Sequence, residues 1–398
     1  MDARTSSRSF PMTSIANLFA DPFGMGGVLA LRNLVHDRVR LIVTLVGIAF
    51  AVVLMNVEIG IFLGFVRTTS SLVDHARADL WVMAQGTRNV DQTVAISERK
   101  YYEALAVPGV SRAARLNVEF ADWRRPDGGS ESVLIVGLKP GNGLLHPWNV
   151  VEGDIRSLRY PGTVMIDEFY RQKLGITHLG QTVEIGGHRA QVVGFTRGIR
   201  SFTQSPYVFA STRTALDYSR IRPDQTKYVL VKVKPGADID AVKARLAKAL
   251  PDVDVKTAAQ FSRQTQFYWM FTTGAGLALL VAAFMGLLVG AVVISQTLYA
   301  TTIDHLGEYG TLRAIGAPDR YLHAVIARQA VLSALWGYAL GLILSLAAVL
   351  AVQDGGPAII LPLPVMMVML ILTLVMCVGA ALISIKKVTR LDPASVFK

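Results

Sequence analysis

Four long apolar runs divide the chain: Leu41 to Val66, Met270 to Gln296, Tyr321 to Val352 and Ile359 to Ile385. At about 1.5 Å per helical residue, each can cross a hydrocarbon core about 30 Å thick. The pattern therefore predicts four transmembrane α-helices. Between the first two runs lies one polar block, Arg67 to Trp269, with room for a folded domain or two. Within it, β-rich apolar stretches recur at Leu80 to Met83, Ser132 to Val136, Thr163 to Ile166, Thr182 to Ile185, Ala190 to Phe195, Tyr207 to Phe209 and Tyr228 to Val233. Helical spacing fits Ser97 to Ala106, Glu168 to Leu174, Thr212 to Tyr218 and Asp238 to Leu250. Gly186-Gly187, between two of the strands, predicts a hairpin, because glycine tolerates the positive backbone angles of tight turns. The expected fold is a membrane protein: four transmembrane α-helices, with a large α+β extracytoplasmic domain inserted between the first and second helices.

Charge orients the chain. Met25 to Arg40, MGGVLALRNLVHDRVR, sets Leu29, Leu31, Leu34, Val35 and Val39 among Arg32, His36, Arg38 and Arg40. That reads as a basic amphipathic helix on the membrane face or as a plain topogenic charge cluster, and either holds the N-terminus in the cytoplasm. The first run is too long for a signal-peptide core and is followed by no small-residue cleavage site, so it is expected to stay as an anchor. Lys386, Lys387 and Arg390 close the fourth run, while the Gln353 to Pro357 loop has no lysine or arginine. The organisation expected is a cytoplasmic segment 1–40, a span 41–66, the outer domain 67–269, a span 270–296, a cytoplasmic segment 297–320, spans 321–352 and 359–385, and a tail 386–398. Both termini are then cytoplasmic. Glu58 is the one acidic residue of the first run; roughly 25 Å along the helix from Leu41, it fits an interfacial or bundle-facing position better than a proton relay. Gly60 with Gly64, Gly286 with Gly290 and Gly337 with Gly341 are small-xxx-small pairs that permit close helix packing.

Composition supports this picture. At 52% hydrophobic, 17% charged and mean hydropathy +0.41, the chain is too apolar for a soluble protein, in which about 25% charged residues are usual. A net charge of +11 raises nucleic acid as a partner, but no basic run is interleaved with aromatics, so none is expected and membrane anchoring accounts for the charge. Cys377, the single cysteine, lies in the last apolar run, which excludes an intrachain disulfide or a thiolate zinc cluster. There is no Gly-Lys dipeptide from which to build a Walker A loop, no His-Glu-x-x-His motif and no nucleophile elbow. The chain is therefore not expected to be an enzyme or to hold a catalytic residue, a metal or a cofactor.

The short segment Thr301 to Arg320, TTIDHLGEYGTLRAIGAPDR, is set between two spans, and its charges cannot lie in hydrocarbon without costing about 2.5 to 3.5 kcal/mol each. Ile303, Leu306, Gly310, Arg313 and Ala314 recur at helical spacing, and Gly316, Pro318 and Asp319 supply a stop and a turn. By spacing alone this is a short helix that either receives a partner or is an ordinary amphipathic connector. Its string Glu308, Tyr309, Gly310, Leu312, Arg313, Ala314, Ile315, Gly316, Ala317 resembles the loop between the second and third membrane helices of the FtsX-like (MacB/LolC-type) ABC transporter permeases. In that family the loop is the coupling helix that docks on a separate ATPase subunit. The tail Arg390 to Val396 resembles the family's as well.

Parts of the polar block are similar to the DevC branch of the same family: Phe120-Ala121-Asp122-Trp123, the strand Ser132 to Lys139 ending in Pro140-Gly141, and Arg200-Ser201-Phe202 followed by Ser205-Pro206-Tyr207-Val208-Phe209. Arg200, Phe202, Gln204 and Tyr207 are the candidate contacts to a substrate or adaptor, the alternative being a structural loop leading into a strand. The resemblance implies a permease subunit in a bacterial inner (plasma) membrane that works as two copies with a dimer of ABC ATPase subunits, which would bind ATP and Mg. It also implies a periplasmic adaptor and an outer-membrane channel, with ATP-driven motion passed to the periplasmic domain for export. Lipoprotein release, as in the related Lol permeases, is the alternative within transporters. A membrane-anchored ligand sensor is the alternative outside them; a sensor would need a cytoplasmic output domain, and the longest internal cytoplasmic piece expected here is only the segment 297–320.

Overall fold

The structure, a computed structural model, describes residues 38–141, 143–202, 205–304, 307, 311, 318–352 and 358–388. The basic segment before Arg38, the Gln353 to Pro357 loop, the tail and nearly all of the coupling string lie outside the described residues. Among the described residues, four helices are long and apolar enough to cross a membrane: Arg38–Thr69, Ala275–Asp304, Asp319–Val352 and Leu363–Val388. The chain divides into a helical unit and an outer unit formed chiefly by Phe62–Ala278.

In the helical unit, the first helix buries Ile48, Ala51, Val52 and Met55 on one face. Val39, Ile42, Val43, Val46 and Phe50, at helical spacing on the other, are exposed apolar side chains suited to lipid. Glycines set how closely the helices approach. A Cβ built on Gly337 would lie 2.5 Å from Ile48 Cγ2, and one on Gly341 would lie 2.7 Å from Val52 Cβ. Glu58 is half-buried, and its stem lies against Gly286. Asn56, fully buried, donates from Nδ2 to Ser345 Oγ at 3.2 Å, an interhelical bond in a medium without water. Gly337→Ala is expected to loosen the bundle by about 1 to 3 kcal/mol through overpacking, and Ile48→Ala in the same chain to restore it; thermal unfolding of the purified chain reads both.

The outer unit is built on strands β1 (Leu80–Ala84), β2 (Ile96–Ser97), β3 (Val110–Arg124), β4 (Ser130–Leu138), β5 (Val150–Gly153), β6 (Thr163–Asp167), β7 (Thr182–Ile185), β8 (His188–Thr196), β9 (Tyr207–Ser211), β10 (Gln225–Thr226), β11 (Tyr228–Val233) and β12 (Val253–Thr257). The main sheet runs β12-β1-β11-β3-β4-β9-β6-β8-β5, with β7 pairing both β3 and β8. Pairing is antiparallel except for β4 with β9 and β6 with β8. The long β3 joins two lobes: its first half pairs β11, and its second half pairs β4 and β7.

All seven apolar stretches read from the sequence are strands here, and β1, β6, β9 and β11 are buried along nearly their whole length. The β7–β8 hairpin closes through Gly186 and Gly187, at φ 55° and 82°, with Ile185 opposite His188. Five strands were not anticipated: β2, β3, β5, β10 and β12. In β3, VSRAARLNVEFADWR, scattered charges hide the apolar alternation, yet Leu116, Val118 and Trp123 are core. Helices Thr212–Tyr218 and Ile239–Ala249 follow capping side chains, Ser211 and Asp238. Helix Ala258–Phe267 opens on a full capping box, Thr257 with Gln260. Glu168 to Leu174 is a 3₁₀ turn running into a single α turn, ended by Gly175 at φ 68°. Beyond Phe267, Tyr268–Thr272 is a π-helical turn, and Gly274 at φ 75° interrupts the chain. The second apolar helix thus starts at Ala275 rather than at Met270.

Candidate functional site

The loop between β8 and β9 carries the outer candidate residues, and a buried carboxylate organises it. Asp167, 1% exposed at the end of β6, accepts from Thr196 Oγ1 (3.0 Å), Phe169 N (3.1 Å) and Ile199 N (2.8 Å). Burial pushes its carboxyl above the ordinary value, and hydrogen bonds from Ile199, Phe169, Thr196 and Gly198 pull it back. Arg197 pairs with Glu168, and Ser201 N reaches the Tyr170 hydroxyl at 3.4 Å. The chain from Thr196 to Ser201 is thus fixed to the turn that follows β6.

The four candidates then separate. Arg200 places its guanidinium 4.2 Å from the centroid of the Phe169 ring, a cation–π contact within the loop's own support. Tyr207 is 2% exposed in the β9 core, so it has almost no surface for a substrate or adaptor and supports the loop from beneath. Burial raises its hydroxyl well above the ordinary tyrosine range. Gln204 lies outside the described residues.

Phe202 is the middle ring of an aromatic chain. Phe65 meets it edge-on at 5.0 Å, and Trp269 packs on it at 4.3 Å with a 60° tilt. Phe65 belongs to the last turns of the first apolar helix, and Trp269 to the π turn before the second. Phe202, read from the sequence as a candidate contact or as part of a structural loop, joins the two segments through which the outer unit is entered and left. A hydrogen bond runs in parallel: Gln266 Nε2 donates to Ser70 Oγ at 2.9 Å, and Ser70 Oγ donates to Asp74 Oδ2 at 2.7 Å. Sequence reading missed Phe65, Trp269, Ser70 and Gln266. The one signal available was the aromatic run Phe267 to Phe271 immediately before an apolar span.

Beside this junction lies Asp91, 6% exposed, in the loop after β1. Its Oδ1 and the Trp269 Nε1 are both buried without a well-formed partner. Burial pushes the Asp91 carboxyl up to about 7, and the indole N–H of Trp269, its hydrogen-bonding neighbour, draws it down by less. Nothing in the sequence marked this residue, because a lone Asp in a polar stretch reads as solvated.

Of the coupling string, Glu308, Tyr309, Gly310, Leu312, Arg313, Ala314, Ile315, Gly316 and Ala317 lie outside the described residues. Among their neighbours, Gly307 and Thr311 are helical, and Thr311 Oγ1 donates to the Gly307 carbonyl at 2.9 Å. Among the described residues, no three His, Cys, Asp or Glu side chains gather as metal ligands.

The family model described as the MacB-like periplasmic core domain matches residues 41–249, and that described as the FtsX-like permease C-terminal matches residues 260–393. ABC transporter permeases of Mycobacterium tuberculosis (strain ATCC 25618 / H37Rv) and Mycobacterium bovis (strain ATCC BAA-935 / AF2122/97), both described as uncharacterised, are 25% and 23% identical to it over 372 residues, or 92% of this chain and 98% of each relative. Among solved structures, the periplasmic region of MacB from Actinobacillus actinomycetemcomitans is 11% identical with a TM-score of 0.37, covering 47% of this chain and 92% of that one. The extracellular domain of the transporter YknZ from Gram-positive bacteria is 15% identical with a TM-score of 0.34, covering 45% and 98%. With one model matching more than half of the sequence and a second matching most of the remainder, the chain belongs to the FtsX-like, MacB-type family of ABC transporter permeases.

Proposed function

We propose that this chain is the membrane subunit that carries ATP-driven motion of a separate ATPase out to its periplasmic domain, for export of a substrate. The observation that carries the reading is the Phe65–Phe202–Trp269 chain with the Ser70–Gln266 bond beside it. A domain that only bound a ligand would need one tether. Here the ascending and descending segments are joined by rings and a hydrogen bond, so displacing either one loads the β8–β9 loop. Two copies of the chain with two ATPase subunits, a periplasmic adaptor and an outer-membrane channel complete the proposed assembly, and both termini lie in the cytoplasm. Cysteines introduced at Ser130 and Gly355 are then expected to label from outside and one at Glu308 is not; external labelling at Glu308 would sink the arrangement.

The cytoplasmic end of this path is the coupling string. Glu308 and Arg313 are five apart, so on a helix of 3.6 residues per turn they splay by roughly 140° and do not satisfy each other. If this helix docks on an ATPase, at least one is then expected to pair with the partner. A charge-assisted contact is worth about 1.5 to 3 kcal/mol, or roughly ten-fold or more in complex stability. Glu308→Ala and Arg313→Ala are expected to leave the chain inserted and to weaken co-purification of the ATPase by about that factor. Wild-type ATPase binding and transport in the double variant would remove the coupling role from this segment.

A further inference from the structure

The turn that leads into the second apolar helix exposes two rings where the membrane begins. Helix Ala258–Phe267 buries Phe261, Ser262 and Thr265 on one face, while Phe267, its last residue, is 62% exposed. Phe271, in the π turn, is 47% exposed, and the two rings lie 4.9 Å apart. A neighbouring contact fixes their depth. A Cβ built on Gly276, in the first turn of the apolar helix, would lie 2.5 Å from Met270 Cα and 3.0 Å from Phe65 Cε1. The π turn is therefore level with the start of the apolar helix at Ala275 and with the last turns of the first one, which ends at Thr69. Exposed rings at that depth meet the boundary between headgroups and acyl chains, where burying them is favourable.

Positive charge lies at the same place. Arg263, exposed, precedes Phe267 by one helical turn and shares its face. Along the helix it stands roughly 6 Å beyond Phe267, within the reach of a headgroup layer about 5 to 8 Å deep. Arg67, also exposed, comes one turn before Ser70, and the Ser70–Gln266 bond brings that turn beside the same helix end. Among the described residues neither guanidinium has an ion pair. Asp74, the acid next along the chain from Arg67, accepts from Ser70 Oγ instead.

We propose that this end of the outer unit is a seat for an anionic phospholipid, with Arg263 and Arg67 holding its phosphodiester and Phe267 and Phe271 lying among its ester groups and upper acyl chains. The planar guanidinium matches two phosphate oxygens, and a zwitterionic lipid brings an ammonium that opposes both arginines, so the surface selects by net headgroup charge. A lipid held here lies against the turn whose Trp269 packs on Phe202, so occupancy and the setting of that turn influence each other by linkage. The inference goes beyond the transmission reading and does not depend on the ATPase.

The test uses the full chain with p-benzoylphenylalanine in place of Phe267, in nanodiscs of equal parts phosphatidylglycerol and phosphatidylcholine with matched acyl chains. After irradiation, mass spectrometry counts the lipid adducts formed at that position, which leaves lipid bound at the cytoplasmic lysines out of the reading. Phosphatidylglycerol adducts are expected to exceed phosphatidylcholine adducts by at least about five-fold, the effect of one arginine near an anionic headgroup. Arg263→Gln and Arg67→Gln are each expected to lower that ratio, and the double variant to bring it to the bulk ratio with thermal unfolding unchanged, since both side chains are exposed. Equal adducts of the two lipids, an unchanged ratio in the double variant, or adducts to a second copy of the chain in place of lipid overturns the proposal. If the chain carrying the probe at 267 does not insert, the same ratios are read with the probe at Phe271, and the same results decide.

Discussion

Phe202→Ala is expected to cut export sharply while the chain still inserts, still binds its ATPase and still supports ATP hydrolysis. Truncation removes both ring contacts that join the ascending segment, through Phe65, to the descending one, through Trp269. Aromatic pairs of this kind are worth about 0.5 to 1.5 kcal/mol each beyond their buried area, so the link weakens while the sheet stays folded. The readout is the ratio of substrate exported to ATP hydrolysed. That ratio separates a failure of transmission from a failure of recognition: loss of an adaptor contact would also reduce adaptor co-purification, which transmission through the ring chain leaves intact. The second variant, Trp269→Ala, attacks the same link from the other side. Because the two residues act in one contact, the double variant is expected to be little worse than either single one. Unchanged export in the double variant would return Phe202 to the role of a plain structural residue.

A comparably large effect is expected from Asp91, this time on stability. Its folded-state carboxyl is raised from an ordinary 3.8 to about 7, and burial is the dominant cause. The sign follows from linkage: a group with a raised folded pKa binds more protons folded than unfolded, so its contribution is fully present below about pH 4 and is lost as pH rises through about 7. At 1.36 kcal/mol per unit, the shift bounds the loss at about 4 kcal/mol. In Asp91→Asn the side chain cannot ionise. Thermal unfolding of the full chain from pH 4 to pH 8 is therefore expected to show the variant gaining on wild type as pH rises, with the difference levelling above pH 8. Parallel melting curves across that window would show that Asp91 is solvated in both states.

The same residue shows where reading a sequence stops. Hydropathy alone determined the four spans and the domain between the first two, because crossing hydrocarbon demands about 20 consecutive apolar residues and few other structures leave that mark. Buried strands such as β6, β9 and β11 were legible for a related reason: residues covered on both faces read as unbroken apolar runs. The β7–β8 turn was legible because two adjacent glycines meet a backbone requirement that is itself local. The coupling role of the 308–317 string rests only on its likeness to a family, and these residues lie outside the described ones. Burial of charged or half-polar segments was not legible. β3 carries arginines and acids along its length and still forms the strand that both lobes share, because pairing with β11, β4 and β7 decides which of its side chains are covered. Asn56 drew no notice beside Glu58, yet it is the one whose amide bonds across to another helix. Phe202, Trp269 and Asp91 stand far apart in sequence and polar or aromatic by type, with nothing local to separate a surface contact from a link. What decided their roles was which distant segments folded against them, since burial and partners belong to the packed chain, while periodicity and length belong to each segment by itself.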